Sequence, residues 1–141
     1  MSASHYLIDT SACNRLFLTP AVERHWATVL DEGRASVCEI TELELVRATG
    51  GRDERAVLER YLHDAFGWTP VPDRALTRAR QVQDLLVATS WHQGPGAVDL
   101  MTAATAELCG LTLLHYDADF ETIAKVTGQP HQWIAPRGSV D

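Results

Sequence analysis

The chain has 141 residues, 45% of them hydrophobic, with a formal net charge of −7, which suits one domain spanning 1–141 that buries about two thirds of its unfolded surface. No apolar run approaches the roughly eighteen residues of a membrane span, and MSASHYLIDT lacks the basic start and long apolar core of a secretory leader. The acidity argues against unspecific attachment to nucleic acid, yet eleven of the twelve basic residues are arginines, the side chain suited to bidentate phosphate contacts.

Cys13, Cys38 and Cys109 are odd in number and far apart, without a CxxC pair. Cys38 and Cys109 lie in apolar segments and read as core packing. Reduced thiols in the cytoplasm are the expectation. An acidic surface also suits a basic protein partner.

His5 to Ile8 reads as a short buried strand that Asp9 terminates, with Thr10 and Ser11 following. Ser11 to Leu18 reads as a short helix. Thr19 then caps a second helix with Pro20 at its first position and Val22, Trp26 and Val29 or Leu30 on one face, and Gly33 ends it. Ala35 to Ile40 is the second expected strand.

In the following ITELELVRAT, Leu43, Leu45 and Val46 are available to a core, while Glu42 and Glu44 occupy the first helical turn. Thr41-x-x-Glu44 matches a capping box, in which the glutamate bonds back to the cap's own N–H, so Glu44 has a structural reading beside a functional one. Gly50-Gly51 breaks the chain. Asp53 opens an amphipathic helix carrying Val57, Leu58, Tyr61, Leu62, Ala65 and Phe66.

Trp68 to Val71 is a third candidate strand. Asp73 is expected to cap a long helix with Leu76, Ala79, Val82 and Leu86, leading through the turn His92 to Gly96 into AVDLMTAATAELCGLTLLHYDADF. There Asp99 sits at or just before the first turn of a helix, Gly110 suits its left-handed cap, and Leu111 to Tyr116 is a buried strand ending in Asp117, with Asp119 two residues on. Glu121 to Val126 is helical, and Gln132 to Ala135 is a last edge strand before a loose tail.

Short apolar strands alternating with helices imply a parallel sheet covered on both faces. Ligand sites in such sheets lie at the carboxyl ends of the strands, where Asp9 and Asp117 would meet. Two acids held together repel, and a divalent cation removes that difficulty. Asp9, Glu44, Asp99 and Asp117, assembled on one sheet edge, form an all-oxygen shell that suits Mg²⁺ or Mn²⁺ and disfavours Zn²⁺. The matching chemistry is attack of metal-activated water on a phosphodiester.

Four segments carry a family resemblance: YLIDTSA (Tyr6 to Ala12), ITELELVRA (Ile40 to Ala48), VDLMTAATA (Val98 to Ala106) and LLHYDADF (Leu113 to Phe120). In this order, and over nearly the whole chain, the sequence resembles a PIN domain, most closely a VapC-type ribonuclease toxin of a type II toxin–antitoxin system. The resemblance implies a PIN-like α/β/α sandwich with a central, mostly parallel sheet of four to five strands. It implies a Mg²⁺- or Mn²⁺-dependent endoribonuclease whose catalytic and metal-binding acids are Asp9, Glu44, Asp99 and Asp117. Ser11 matches the small hydroxyl that supports the first acid, and Asp119 is an auxiliary acid. The implied partners are a structured RNA such as a tRNA or ribosomal loop, a cognate VapB-type antitoxin and a second copy of the chain.

The family pattern selects Glu44 over Glu42, because two residues turn a helical side chain by about 200°. A mild departure is Ala48, where relatives often carry glycine. Competing constellations are weaker. The six histidines form no metal-binding spacing, although His115 lies two residues before Asp117. A phosphatase of the haloacid-dehalogenase kind would need an aspartate where Ser11 stands and a helping lysine, and Lys125 is the sole lysine. The alternative of another class is a PIN-like module that binds metal or a partner without nuclease activity. Arg47, Arg52 and Arg55, or Arg74 and Arg78, are candidates for RNA phosphates or for a solvated face.

Overall fold

A computed structural model describes residues 3–141; residues 1 and 2, part of the stretch read for a leader, lie outside the described residues. Five strands, β1 (Tyr6–Ile8), β2 (Ala35–Val37), β3 (Gly67–Trp68), β4 (Thr112–His115) and β5 (His131–Trp133), form one sheet in the order β3-β2-β1-β4-β5. Every neighbouring pair is parallel. Seven helices connect them: α1 (Thr10–Leu18), α2 (Pro20–Asp31), α3 (Glu39–Arg47), α4 (Arg52–Ala65), α5 (Ala75–Ala88), α6 (Ala97–Leu108) and α7 (Ala118–Thr127).

The pleat divides the apolar residues between two faces. Leu7 and Leu113 pack with α5, α6 and α7 through Ala79, Val82, Leu86 and Ile123. Their neighbours Ile8 and Leu114 pack on the opposite side with Leu16, Trp26, Leu62 and Phe66 from α1, α2 and the α4 end. The result is the expected α/β/α sandwich. Leu7, Ile8, Leu113 and Leu114 are at most 1% exposed, and each such side chain stabilises the fold by about 1.5–3 kcal/mol. Among the described residues no helix is long and apolar enough to cross a membrane.

Several boundaries move. β2 stops at Val37, and α3 begins at Glu39 because Cys38 O accepts Glu42 N–H at 3.2 Å. Thr41 is therefore a buried residue inside α3, and no capping box forms between it and Glu44. The buried positions of α3 are Thr41 and Leu45, which leaves Leu43, expected in a core, 70% exposed. In α5 the buried residues Ala75, Ala79, Val82 and Leu86 leave Leu76 exposed, and Arg74 occupies the cap position expected for Asp73. Val57 and Cys109 are likewise exposed. The third strand is Gly67–Trp68, short of Val71, and the tail is held, with Tyr116 Oη 3.0 Å from Val140 O and receiving Val140 N–H at 3.2 Å.

Candidate active site

The strand order turns back between β1 and β4: β2 and β3 lie on one side of β1, and β4 and β5 on the other. At such a switch point the connections leave in opposite directions and open a crevice beyond the carboxyl ends of the strands. Asp9 and Asp117 end these two strands. Asp9 N–H bonds Leu114 O at 3.1 Å, and Tyr116 N–H bonds Ser11 Oγ at 2.8 Å, so the two strand ends are tied above the sheet.

Asp9 caps α1, accepting Ala12 N–H at Oδ1 (3.0 Å), and Ser11 Oγ lies 2.7 and 2.9 Å from its two oxygens. It is only 6% exposed. Burial pushes its carboxyl up to about 7, against the lowering pull of Ala12 N–H and Ser11, and Asp99 adds to the rise. Glu44 lies on α3 and accepts Thr10 Oγ1–H at 2.6 Å, which binds α3 to the start of α1. Its side chain thus serves the cleft wall, where the capping reading would have turned it to its own backbone.

Asp99 stands in the first turn of α6 and accepts Gly96 N–H at 3.1 Å. Burial pushes it up to about 6, opposed by that bond and assisted by the charges of Asp117, Asp119 and Glu44. Asp117 caps α7 by accepting Asp119 N–H at 2.9 Å. Asp119 is raised by burial and by Asp117. Both helix N-termini favour anionic side chains, which partly offsets this crowding.

Asp99, Asp117 and Asp119 bring carboxylate oxygens within 4.8 Å of one another. Asp9 and Glu44 stand outside that trio: the charge of Glu44 helps to raise the Asp99 carboxyl, and the charge of Asp99 helps to raise that of Asp9. Asp119, expected only as an auxiliary, is therefore nearer the centre than two of the four principal acids. The D-x-D spacing at the start of α7 was its signal, since a cap and the residue two beyond it face one cleft.

Charge compensation is missing. Among the described residues no lysine, arginine or histidine forms an ion pair with Asp9, Glu44, Asp99, Asp117 or Asp119. Two carboxylates at 4.8 Å repel by about 3 kcal/mol at an effective dielectric near 20. An all-carboxylate set without thiolate or imidazole fits a hard cation such as Mg²⁺ or Mn²⁺.

His115 supports this edge from below. It is fully buried, its Nδ1 accepts Asp117 N–H at 3.2 Å, and its Nε2 lies 2.9 Å from His131 Nδ1. A bare Nδ1 requires the proton on Nε2, so His115 donates to His131. Burial and His131 push the imidazole down to about 4, so it stays neutral. Sequence spacing hid this pair, and Thr10 as well: the contacts join separate strands and helices. Of the arginines expected near phosphate, Arg55 is paired with Glu59 and Arg78 forks onto Glu107.

The sequence profile described as the PIN domain matches residues 6–126, and the chain belongs to the PIN-domain family. Relatives that it matches over nearly the full length bear the name ribonuclease VapC. It is 40% identical over 141 residues to "Ribonuclease VapC51" of Mycobacterium tuberculosis (strain ATCC 25618 / H37Rv), covering 99% of both chains. It is 35% identical over 136 residues to "Ribonuclease VapC21" of that strain, covering 96% of this chain and 98% of the relative. Among solved structures, DNA-bound VapBC from Salmonella typhimurium superposes with a TM-score of 0.77 at 17% identity, over 94% of this chain and 100% of that one. VapBC2 from Rickettsia felis gives 0.75 at 12% identity, over 91% and 97%. These two likenesses show the fold.

Proposed function

We propose that this protein is a divalent-metal-dependent endoribonuclease toxin that cuts structured RNA in the cytoplasm and is restrained by a cognate VapB-type antitoxin. The observation that carries the reading is the uncompensated trio Asp99, Asp117 and Asp119 at the β1/β4 switch point, flanked by Asp9 and Glu44. The names of the full-length relatives support ribonuclease activity, and the VapBC complexes among the solved neighbours support an antitoxin.

Asp99 and Asp117 would hold the ion, with Asp119 as a further oxygen donor. A bound Mg²⁺ or Mn²⁺ supplies a Lewis acid that acidifies water and neutralises charge on the phosphodiester. Asp9 and Glu44 would complete the acidic wall and serve as proton acceptors for the attacking water, Asp9 oriented by Ser11 and Glu44 by Thr10. No side-chain nucleophile is required. The expected products are a 5′-phosphate and a free 3′-hydroxyl. An acidic cleft reads base edges poorly, so selection falls to RNA shape and unpaired loops. An antitoxin arginine or lysine entering the cleft would pair with the carboxylates and displace the ion. Exposed Leu76 and Val87, on one side of α5, suit self-association.

The test is hydrolysis of tRNA and ribosomal-loop RNAs with Mn²⁺, Mg²⁺ or chelator, with the product ends mapped. Metal-dependent cuts leaving 3′-hydroxyl ends are expected. Recovery of 2′,3′-cyclic phosphates would overturn the metal-water route. Absence of cleavage in every RNA, with metal still bound, would instead favour a binding module without nuclease activity.

A further inference from the structure

The end of α5 departs from the other helix ends. Ser90 N–H bonds Val87 O at 3.0 Å, Trp91 N–H bonds Leu86 O at 2.8 Å, and Ser90 has φ 61°. This is the Schellman turn, which normally places glycine at the left-handed position. The same turns after α2 and α6 do use glycine, Gly33 and Gly110, both at φ 68°. A side chain is disfavoured in this conformation, and such residues concentrate where surrounding structure fixes a functional geometry.

The turn brings the backbone of Trp91 to the loop that borders the acidic cleft. Gly94 N–H reaches Trp91 O at 3.4 Å, and the next residue, Pro95, is buried. A Cβ placed on Gly94 would lie 3.2 Å from Asp119 Oδ1 and 3.8 Å from Trp91 O, so the Asp119 carboxylate and the Trp91 backbone oxygen lie beside one glycine. Two residues later Gly96 N–H holds Asp99. The residue at this position of a Schellman turn commonly packs back on its helix. Trp91 instead remains 44% exposed. Phe17 and Trp68 are also exposed, but the Phe17 ring already packs edge-on against Tyr61 at 4.9 Å, and Trp68 is on the edge strand β3.

Lys125, the sole lysine, comes from the last turn of α7 and holds Nζ 5.6 Å from the centre of the Trp91 ring. It forms no ion pair among the described residues. A cation beside an exposed indole, on the helix whose first turn carries Asp119, has the chemistry of a single-stranded nucleotide subsite.

We propose that Trp91 and Lys125 form such a subsite: the indole stacks an unpaired base of the RNA next to the scissile phosphate, and Lys125 takes that nucleotide's phosphate. The proposal rests on the nuclease reading for its substrate. It assigns the preference for unpaired loops to a particular side chain. Stacking tolerates every base, so it selects for single-strandedness rather than sequence.

The experiment measures binding of a fluorescein-labelled single-stranded RNA to Asp99→Asn protein in Mg²⁺, where cutting is blocked, with and without Trp91→Ala, Trp91→Phe or Lys125→Gln. Trp91→Ala should weaken binding roughly five- to hundredfold, the range of one base–aromatic stack, and Trp91→Phe should retain most of it. One abasic substitution in the RNA should reproduce the loss and add nothing to Trp91→Ala. Lys125→Gln should reduce the salt slope by about 0.7, one phosphate contact on a single strand. With Asp99 intact, Trp91→Ala should raise KM and spare kcat. Unchanged RNA binding by a folded Trp91→Ala protein overturns the proposal. So does a variant that keeps RNA binding and loses self-association or antitoxin capture, since Trp91 would then belong to a protein interface. Loss of binding in Trp91→Ala, with no RNA cut by the wild type, would sink the nuclease reading and leave the subsite standing.

Discussion

Ser11 Oγ lies 2.7 and 2.9 Å from the two carboxylate oxygens of Asp9, and the same oxygen receives Tyr116 N–H at 2.8 Å. One hydroxyl thus orients the acid that ends β1 and satisfies the backbone at the end of β4. Ser11→Ala orphans that N–H and should cost about 1–3 kcal/mol in chemical denaturation. It also removes a bond that lowers the Asp9 carboxyl. The acidic limb of activity should move to higher pH; an unmoved limb would mean Asp9 does not act as a carboxylate.

Asp9 should draw down the stability of the metal-free protein as pH rises, against His115, whose imidazole, lowered to about 4, makes stability rise with pH from about 4 to 6.5. The Asp9 carboxyl stands at about 7 in the fold against an ordinary value of 3.8. Between those values the folded state binds more protons than the unfolded state, so unfolding free energy falls with pH across that window and levels off above it. In chelator, the melting temperature of wild type relative to Asp9→Asn should fall from pH 4 to 7 and level off above it. A difference that does not change with pH would contradict the buried, uncompensated carboxyl.

Asp99→Asn and Asp117→Asn should abolish cleavage while leaving the metal-free fold equally or more stable. Asparagine keeps an oxygen for Gly96 N–H or Asp119 N–H and removes one charge from the trio. Metal at ten times its dissociation constant should stabilise wild type by about 1.4 kcal/mol. A large melting-temperature drop in the metal-free variants would show that these acids serve as caps alone.

Thr41→Val separates the two readings of the α3 start. A capping threonine replaced this way costs about 1 kcal/mol. In the fold Thr41 is fully buried, and its hydroxyl has one long bond, to Ile8 O at 3.4 Å. Unfolding should therefore change by less than about 0.5 kcal/mol, with activity kept. Thr10→Val, which frees Glu44, should lower activity more than stability.

Ser90→Gly should raise stability by about 1 kcal/mol, because glycine accepts φ 61° without the penalty a side chain meets. Thermal unfolding checks it. A destabilised variant would mean the seryl side chain supports the turn in some other way.

Much of the fold was legible because its signals are local. Unalternated apolar runs mark β1 and β4, and an acid that ends each run marks their exposed carboxyl edge. Asp99 was placed in a first helical turn by the glycine–proline breaker before it, and there it lies. Local pattern misled where two readings share one motif. Thr41-x-x-Glu44 is a capping box by spacing, but helix α3 starts two residues before Thr41 because Cys38 supplies its first acceptor. Leu43 looked like core and is exposed, since the phase of a helix is set by what Thr41 and Leu45 pack against.

The identity of the acids was therefore determined by sequence alone, and their grouping by tertiary structure. Asp9, Glu44, Asp99 and the pair Asp117 and Asp119 come from four separate segments of chain, whose separation depends on strand order, register and the pitch at which α3, α6 and α7 approach the sheet. Those quantities follow from packing two faces of one sheet at once. That packing brings Asp119 into the trio with Asp99 and Asp117, sets His115 beneath Asp117, and places Trp91 beside Lys125.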